Sequence, residues 1–237
     1  MTIFYAILLN LAFFLLGYFF VGSLNTSIII SRFFKGDDVR KYHSKNAGAT
    51  NTLRTFGVNT ALIVFVIDFL KTFLAVIILA ALMNGPLIQL GLKYYISPQV
   101  IGFGTIVGHI FPCWFKFKGG KGIACSTGLL LGTNLILFII GVSVFFIVVL
   151  VKRIVSLASI STAAIVVPFA FIPWMTQGSL GSWLNFVILN NSLTTLSPYW
   201  YVTPIIILLS AILVISMHHS NIKRLLNKTE KPLGKKK

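Results

Sequence analysis

The sequence predicts an all-α polytopic membrane helix bundle of about seven transmembrane helices, two of them shortened. Its 237 residues are 57% hydrophobic and 10% charged, with a mean hydropathy of +0.92. Soluble domains carry about 25% charged residues, so a soluble class is excluded. The 20 basic residues outnumber the 4 acidic ones and lie mainly between apolar runs and at the C-terminus. This pattern favours membrane topology and anionic ligands over nucleic acid.

Uncharged runs set the first and third predicted spans. Residues 3–31 carry no charge and are long enough for one long or tilted span. No basic segment or small-residue cleavage site precedes Arg32, so we expect a retained span rather than a signal peptide. The third span is predicted from Ile96 to about Phe115, after a connector at 84–95 whose only charge is Lys93.

The second predicted span, Gly57–Met83, contains two opposite charges. Asp68 and Lys71 are three residues apart and therefore lie on one face of a helix. A charge within a span is costly and indicates either a functional site or an internal pair. Both interpretations stay open: a functional group, or a structural ion pair that closes the bundle.

Residues 122–151 are an uncharged run that is too long for one span and short for two. As a single helix the run would be about 45 Å long. If the chain turns back near 132–134, 18 of the 20 basic residues share one face, with Lys93 opposite and Lys71 inside a span. The positive-inside rule favours this arrangement, with the N-terminus outside and the C-terminus cytoplasmic.

The remaining spans are predicted at Val155 to about Trp174 and at about Tyr199–Met217. An uncharged loop at 176–200 separates them. Trp174, Trp183, Trp200 and Tyr201 suit a membrane interface. We see neither a soluble domain nor an internal repeat, so residues 1–237 are predicted to form a single integral membrane domain.

The stretch GHIFPCWFKFKGGKGIA, residues 108–124, has the composition of a phosphate-binding loop. Its part 116–122 combines three lysines with three glycines, listed here in chain order: Lys116, Lys118, Gly119, Gly120, Lys121 and Gly122. Glycines let the backbone approach an anion, a helix that begins near Gly122 would direct its N–H groups there, and Lys121 would add a charge. The lysines alone could instead be a positive-inside signal. The Walker spacing is absent.

Two further segments on the same predicted face carry phosphate and hydroxyl donors. They are the segment 40–54 and the segment 218–225, which Glu230 follows. The donors of the three segments are Ser44, Asn46, Asn51, Arg54, Lys121, Asn221 and Arg224. Cys113 and Cys125 lack metal-site spacing and are expected to be free thiols. Taken alone, the residues predict a site for small phosphorylated anions at the inner leaflet, without separating an enzyme from a transporter.

These segments, 22–56, 108–125 and 218–230, resemble the three motifs of the acyl-phosphate:glycerol-3-phosphate acyltransferase family, PlsY. The first is matched by Gly22, Ser23, Asp38, Arg40, Ser44, Asn46, Gly48, Ala49, Thr50, Asn51, Leu53 and Arg54. The second is matched by Gly108, His109, Phe111, Pro112, Phe115, Phe117, Lys118, Gly119, Gly120, Lys121, Gly122 and Ala124. The third is matched by His218, Asn221, Ile222, Arg224, Leu225 and Glu230. Asp68 with Lys71 and Ser156 with Leu157 are similar to further family features.

The chain departs from the family pattern at four positions. His43 and Lys45 replace two glycines of the first motif, which bears on the positive φ of that loop and adds positive charge to it. Cys125 replaces a threonine, and Lys228 replaces a glycine. None of these changes removes a residue of the implied site, so the resemblance implies an active, diverged member.

The resemblance implies transfer of a fatty acyl group from acyl phosphate to the 1-hydroxyl of glycerol 3-phosphate, giving lysophosphatidic acid and phosphate. It implies no cofactor and no metal, and no nucleic acid. The implied location is the bacterial cell membrane, with the site facing the cytoplasm. The implied partners are the two substrates, membrane lipid and, through functional coupling, the enzyme that produces acyl phosphate.

The resemblance also implies roles for particular residues. The implied catalytic group consists of Ser44, Lys121, His218 and Asn221. The implied phosphate- or substrate-binding group consists of Ser23, Asn46, Asn51, Arg54, Gly119, Gly120, Gly122 and Ser156. The implied supporting group consists of Asp68, Lys71, His109, Arg224 and Glu230.

Several alternatives stay open at this point. His218 is either a general base or an interfacial histidine, with the departing phosphate taking the proton. Asn51 either contacts substrate or ties its loop together by bonds to the backbone. His109 is expected to organise its loop. The alternative function is a membrane transporter of phosphorylated metabolites, although the broken spans and repeats typical of transporters are not apparent.

Overall fold

The computed structural model describes residues 2–176, 196, 198–230 and 232, and every regular element in this part of the chain is helical. This confirms the predicted all-α class. The chain divides into two compact units between Gly132 and Thr133. Much of the predicted loop 176–200, including Trp183, lies outside the described residues.

The first unit contains seven α-helices and three short helical turns among its described residues. The α-helices are α1 (Thr2–Leu16), α2 (Thr26–Phe34), α3 (Ala49–Phe56), α4 (Val58–Asn84), α5 (Ile88–Tyr94), α6 (Gln99–Ile110) and α7 (Ile123–Thr133). A π-helical turn covers Gly17–Gly22, and 3₁₀ turns cover Val39–Lys41 and Cys113–Phe115.

The first predicted span lies within Thr2–Phe34, a segment long and apolar enough to cross a membrane, and its helix is interrupted before Thr26. After the π-helical turn, the chain leaves the helix and restarts at α2, where the Asn25 side chain accepts a hydrogen bond from the Ile28 N–H at 3.2 Å. Asparagine is a favoured residue at this capping position because its oxygen satisfies an N–H that has no partner within the helix. The polar residues at 23–27 therefore end one helix and begin another.

The third predicted span is also different in the structure. Its helix, α6, has 12 residues, which corresponds to about 18 Å. The predicted connector at 84–95 contains α5, which lies at 82° to the segment Gln99–Phe115. Gly22 and Gly108 allow α6 to pack closely on the π-helical turn, since a Cβ on Gly108 would lie 2.3 Å from the Tyr18 carbonyl oxygen. This packing fixes the end of α6, where His109 lies.

The second unit contains five helices among its described residues. They are α8 (Leu135–Lys152), α9 (Val155–Ala170), α10 (Pro173–Thr176), α11 (Val202–Ser216) and α12 (His219–Leu226). A helix break lies where the chain was predicted to turn back, at Asn134, whose side chain accepts hydrogen bonds from the N–H groups of Ile136 and Leu137. The reversal of the chain there stays a prediction. Helix α9 packs against α8 and α11.

Each of the seven predicted spans contains an apolar helix. Three segments of the described chain are long and apolar enough to cross a membrane: Thr2–Phe34, Val58–Asn84 and Leu135–Lys152. The number rises to five if each of two bent helix pairs counts as one span. Helices α7 and α9 are apolar but shorter. The count of seven spans and the orientation of the termini stay predictions.

Candidate functional site

Asn51 organises the loop of the first motif. Its side chain is buried and donates hydrogen bonds to the carbonyl oxygens of Val39, at 2.9 Å, and Tyr42, at 3.2 Å. Its amide oxygen accepts the backbone N–H of Ser44 at 3.2 Å. These bonds are the side-chain-to-backbone ties considered above as one alternative for Asn51. They hold the backbone of Ser44, whose side chain is exposed.

The loop keeps positive φ angles although its two glycines are replaced. His43 has φ 45° and Lys45 has φ 55°, and both residues are exposed on either side of Ser44. The left-handed conformation costs a residue with a Cβ roughly 1–2 kcal/mol. The backbone of this loop is therefore strained at both replaced positions.

We expect Lys45→Gly to raise the free energy of unfolding by about 0.5–1 kcal/mol, because glycine adopts this conformation without strain. The rise in melting temperature of the purified protein measures the effect. Lys45→Ala is the matched control, since it removes the same charge but keeps the Cβ. Equal melting temperatures for the two variants would contradict the assignment of strain to this position.

The central loop is held by backbone hydrogen bonds to the end of α6 and to the first motif. The N–H groups of Gly119 and Gly120 donate to the carbonyl oxygens of Ile110 and His109, each at 3.0 Å. The Ala47 N–H donates to the Gly119 carbonyl at 3.0 Å. A Cβ on Gly120 would lie 2.0 Å from Nε2 of His109, so this glycine makes room for the imidazole. The first two motifs are thus joined next to Lys121, which is partly buried.

The predicted start of a helix near Gly122 is confirmed. Gly122 has φ +83°, and α7 begins at the next residue.

A buried network connects α4 to both motifs. Asp68 pairs with Lys71 at 2.8 Å, which confirms that the two charges of the span lie together. The same carboxylate oxygen accepts the Thr26 hydroxyl at 2.8 Å and lies 3.5 Å from Nδ1 of His109. Lys71 also donates to the Leu24 carbonyl at 3.1 Å. These contacts support the structural interpretation of the pair and the loop-organising role expected of His109.

Asn25 is a supporting residue that the sequence reasoning missed. Its buried amide donates to the carbonyl oxygens of His109, at 3.2 Å, and Ala47, at 3.4 Å. Ser23 is fully buried, and its hydroxyl accepts the Cys113 N–H at 3.3 Å. The sequence feature that could have indicated these supporting residues is the run of polar residues at 23–27 inside a predicted span.

Cys125 has neighbours that its position in the sequence did not indicate. Its thiol, the Asp68 carboxylate and the His109 imidazole place one possible ligand atom each within 4.8 Å of one another. The cysteine is a free thiol, as expected, and is fully buried. Such donors suit a soft divalent metal, but the Lys71 ammonium already compensates the charge of Asp68.

In the second unit, the Glu230 carboxylate accepts hydrogen bonds from three of the predicted site residues. It accepts the Ser156 hydroxyl at 2.6 Å, the Asn221 amide at 2.6 Å and Nε of Arg224 at 2.5 Å. Burial raises the pKa of Glu230, but these hydrogen bonds lower it by more, and the net shift is downward. Glu230 thereby fixes Ser156, near the start of α9, and Asn221, on α12.

His218 is buried directly before α12, and the partner of its Nδ1 indicates which ring nitrogen carries the proton. Nδ1 lies 2.7 Å from the Val214 carbonyl oxygen. Because a carbonyl oxygen only accepts hydrogen bonds, Nδ1 is the donor. The neutral ring then has its lone pair on Nε2.

We expect Glu230→Gln to lower kcat about tenfold, since the amide keeps the size of the side chain but loses the charge-assisted bond to Arg224. It should also change the dependence of stability on pH. A carboxylate whose pKa is lowered by folding stabilises the folded state. This stabilisation is complete above the ordinary pKa of 4.5 and is lost as the pH falls through the pKa of the folded state. Melting temperatures from about pH 7 to about pH 3 should therefore fall less in the variant than in the wild type. Parallel curves would contradict this assignment.

The predicted residues thus fall into two sets, one in each unit. The first set contains Ser23, Ser44, Asn46, Asn51, Arg54, Asp68, Lys71, His109, Gly119, Gly120, Lys121 and Gly122. The second set contains Ser156, His218, Asn221, Arg224 and Glu230. Within the first set, Arg54 is exposed on the last turn of α3 and Asn46 is partly buried next to Ala47.

Comparisons with known proteins find similar sequences over almost the whole chain. The family model described as glycerol-3-phosphate acyltransferase matches residues 11–228. A glycerol-3-phosphate acyltransferase of Mycoplasmopsis agalactiae is 53% identical and covers 100% of this chain and 99% of its own length. One of Mycoplasmopsis pulmonis is 41% identical and covers 96% of this chain and 95% of its own length.

Solved structures are similar over almost the whole chain. A crystal structure of PlsY, an integral membrane glycerol 3-phosphate acyltransferase, in its glycerol 3-phosphate form is 28% identical with a TM-score of 0.69 and covers 97% of this chain and 96% of its own. The fold and these likenesses define an integral membrane protein built from apolar helices, of the acyltransferase class. The chain belongs to the glycerol-3-phosphate acyltransferase family, PlsY, as its three motifs predicted.

Proposed function

We propose that this protein transfers a fatty acyl group from acyl phosphate to the 1-hydroxyl of glycerol 3-phosphate at the cytoplasmic face of a bacterial cell membrane. The products are 1-acylglycerol 3-phosphate and phosphate. The observation that carries the proposal is the junction at Ala47 and Gly119, which joins the first motif to the glycine loop beside Lys121. Family membership supports the acceptor, and the residue chemistry supports the donor.

Acyl phosphate suits a site with cationic and hydrogen-bonding groups, because it does not require a covalent nucleophile. The acyl group is already activated, so the hydroxyl oxygen of glycerol 3-phosphate attacks the carbonyl carbon and the bond to phosphate breaks. The hydroxyl proton passes to His218 or to the departing phosphate. Catalysis then depends on positioning and on charge stabilisation, and no cofactor or metal is required.

Both substrates carry phosphate, and the first set of residues supplies two cationic groups for them. Lys121 and Ser44, with Asn46 beside it, hold one phosphate. The N–H groups of Gly119 and Gly120 are bonded within the protein, so these glycines shape the loop beside Lys121. Arg54 holds the other. Asn51 and Ser23 are buried and accept hydrogen bonds from the backbone of these loops, which supports a role in holding the loops in place.

The second set of residues acts on the acceptor. His218 and Asn221 orient the glycerol hydroxyls, and Ser156 lies near the acceptor. Asn221 and Ser156 are both held by the Glu230 carboxylate, and this contact supports their use as a fixed pair. Arg224 balances the charge of that carboxylate.

The proposal is tested with purified protein in lipid and labelled glycerol 3-phosphate. Palmitoyl phosphate and palmitoyl-CoA are supplied as donors in separate reactions, and the expected result is labelled lysophosphatidic acid from palmitoyl phosphate alone. Product from the CoA ester would overturn the donor assignment. If neither donor gives product, and protein-containing liposomes take up glycerol 3-phosphate, the function is transport. One acyl phosphate is consumed in each turnover, so we expect functional coupling to the enzyme that produces it.

A further inference from the structure

Arg40 connects the first motif to the central loop through its side chain. Its guanidinium donates to the carbonyl oxygens of Phe115, at 2.9 Å, and Lys118, at 2.8 Å. The other edge of the guanidinium donates to Asp38, at 3.0 Å from Nε and 2.8 Å from the terminal nitrogen. A planar guanidinium with several fixed donors can make these bonds at once, whereas an ammonium group cannot match that geometry.

The backbone between the two bound carbonyls is unusual. Lys116 and Phe117 follow each other with φ 60° and φ 56°, a conformation that is unfavourable for residues with a Cβ. The carbonyls that Arg40 binds flank these two residues directly. Gly119, Gly120 and Lys121 come immediately afterwards, so the direction in which this turn ends determines where the glycine loop begins.

Asp38 anchors the guanidinium on the side of the first motif. It also accepts the backbone N–H of Arg40 at 2.9 Å and Nε of Arg32 at 2.9 Å. Burial raises the pKa of Asp38, but the bonds from Arg40 and Arg32 lower it by more, so the carboxylate stays charged. The Arg40 side chain is 15% exposed, whereas that of Arg32 is 45% exposed.

We propose that Arg40 is a positioning residue, whose guanidinium holds the turn Phe115–Lys118 against the first motif and so places Lys121 and Ser44 for the reaction. This inference rests on the proposed function. It differs from a general stabilising role, because Arg32 shares the same carboxylate and lies 5.6 Å from the centre of the Phe115 ring, but its hydrogen bond goes to Asp38 rather than to the loop carbonyls.

The test compares Arg40→Ala, Arg40→Lys and Arg32→Ala in the acyl-phosphate assay, with both substrates varied. We expect Arg40→Ala to lose about a hundredfold in kcat/KM, because small displacements of a binding group have effects of this size. Arg40→Lys should regain less than about a tenth of the kcat/KM that Arg40→Ala loses. Lysine keeps the charge but lacks the planar guanidinium that donates to several oxygens at once. Arg32→Ala should stay within about threefold of the wild type, as an exposed pair contributes little. Added methylguanidinium should restore activity to Arg40→Ala but not to Lys121→Ala.

Melting temperatures and gel filtration of the same samples report folding independently of activity. Arg40→Lys with wild-type kcat/KM would overturn the inference, as would an equal loss in Arg32→Ala. A failure of methylguanidinium to rescue folded Arg40→Ala would overturn it too. A wild-type protein that makes no product from either donor would instead overturn the proposed function, and this inference with it.

Discussion

Replacing Lys121 with alanine is expected to lower kcat/KM at least about a thousandfold while leaving the protein folded. A charged donor that contacts a phosphate in a site sheltered from water contributes far more than the same charge on the surface. Lys121 follows two glycines that are bonded to the end of α6, so its position is set by backbone contacts that the substitution does not touch. The loss is measured with palmitoyl phosphate and labelled glycerol 3-phosphate.

Lys116→Ala is the matched control for this loss. Lys116 belongs to the same loop and has the same charge, but its side chain is exposed and it precedes the glycines. We expect Lys116→Ala to keep activity within about threefold of the wild type. If Lys121→Ala and Lys116→Ala were equally active, the lysines would be a positive-inside signal rather than a phosphate site.

Replacing His218 with alanine is expected to lower kcat about a hundredfold to a thousandfold and to remove the rising limb of the pH–rate profile. General base catalysis is worth about 10²–10⁴-fold, and it requires a lone pair directed at the substrate. Because Nδ1 donates to the Val214 carbonyl, the basic nitrogen of the neutral ring is Nε2. This fixed tautomer is what a general base needs.

His219→Ala is the control for His218, because it removes an adjacent but exposed imidazole at the first residue of α12. Its pH–rate profile should match that of the wild type. A loss of less than about tenfold in His218→Ala, with the rising limb retained, would instead mean that the departing phosphate takes the proton.

Features that depend on residues close together in the chain were predicted well. The pairing of Asp68 with Lys71 follows from their spacing on a helix, and the break at Asn134 follows from the length and charge of the run around it. The first predicted span lies within Thr2–Phe34, which is long and apolar enough to cross a membrane, but the sequence did not predict the helix break within it. The polar run at 23–27 carries no charge, so it does not end the apolar segment. Helix α5 was missed because Gly85, Pro86 and Lys93 resemble a plain connector.

The candidate site itself was predicted as a set of residues rather than as an arrangement. The three motifs identified the residue types that bind phosphate and hydroxyl groups. They did not reveal that Glu230 holds Ser156 and Asn221 on a single carboxylate. They gave Gly119, Gly120 and Gly122 a role in approaching an anion, and the structure adds that Gly120 makes room for His109.

The sequence by itself determined the membrane class, the positions of the apolar helices and the family, because these depend on composition, on local spacing and on the order of motifs. Only the tertiary structure decided which polar groups meet. Arg40 and the Phe115 carbonyl are 75 positions apart, and Ser156 and Glu230 are 74 apart. Their contacts depend on how the helices of each unit pack, and no local pattern in the chain encodes a hydrogen bond over that distance.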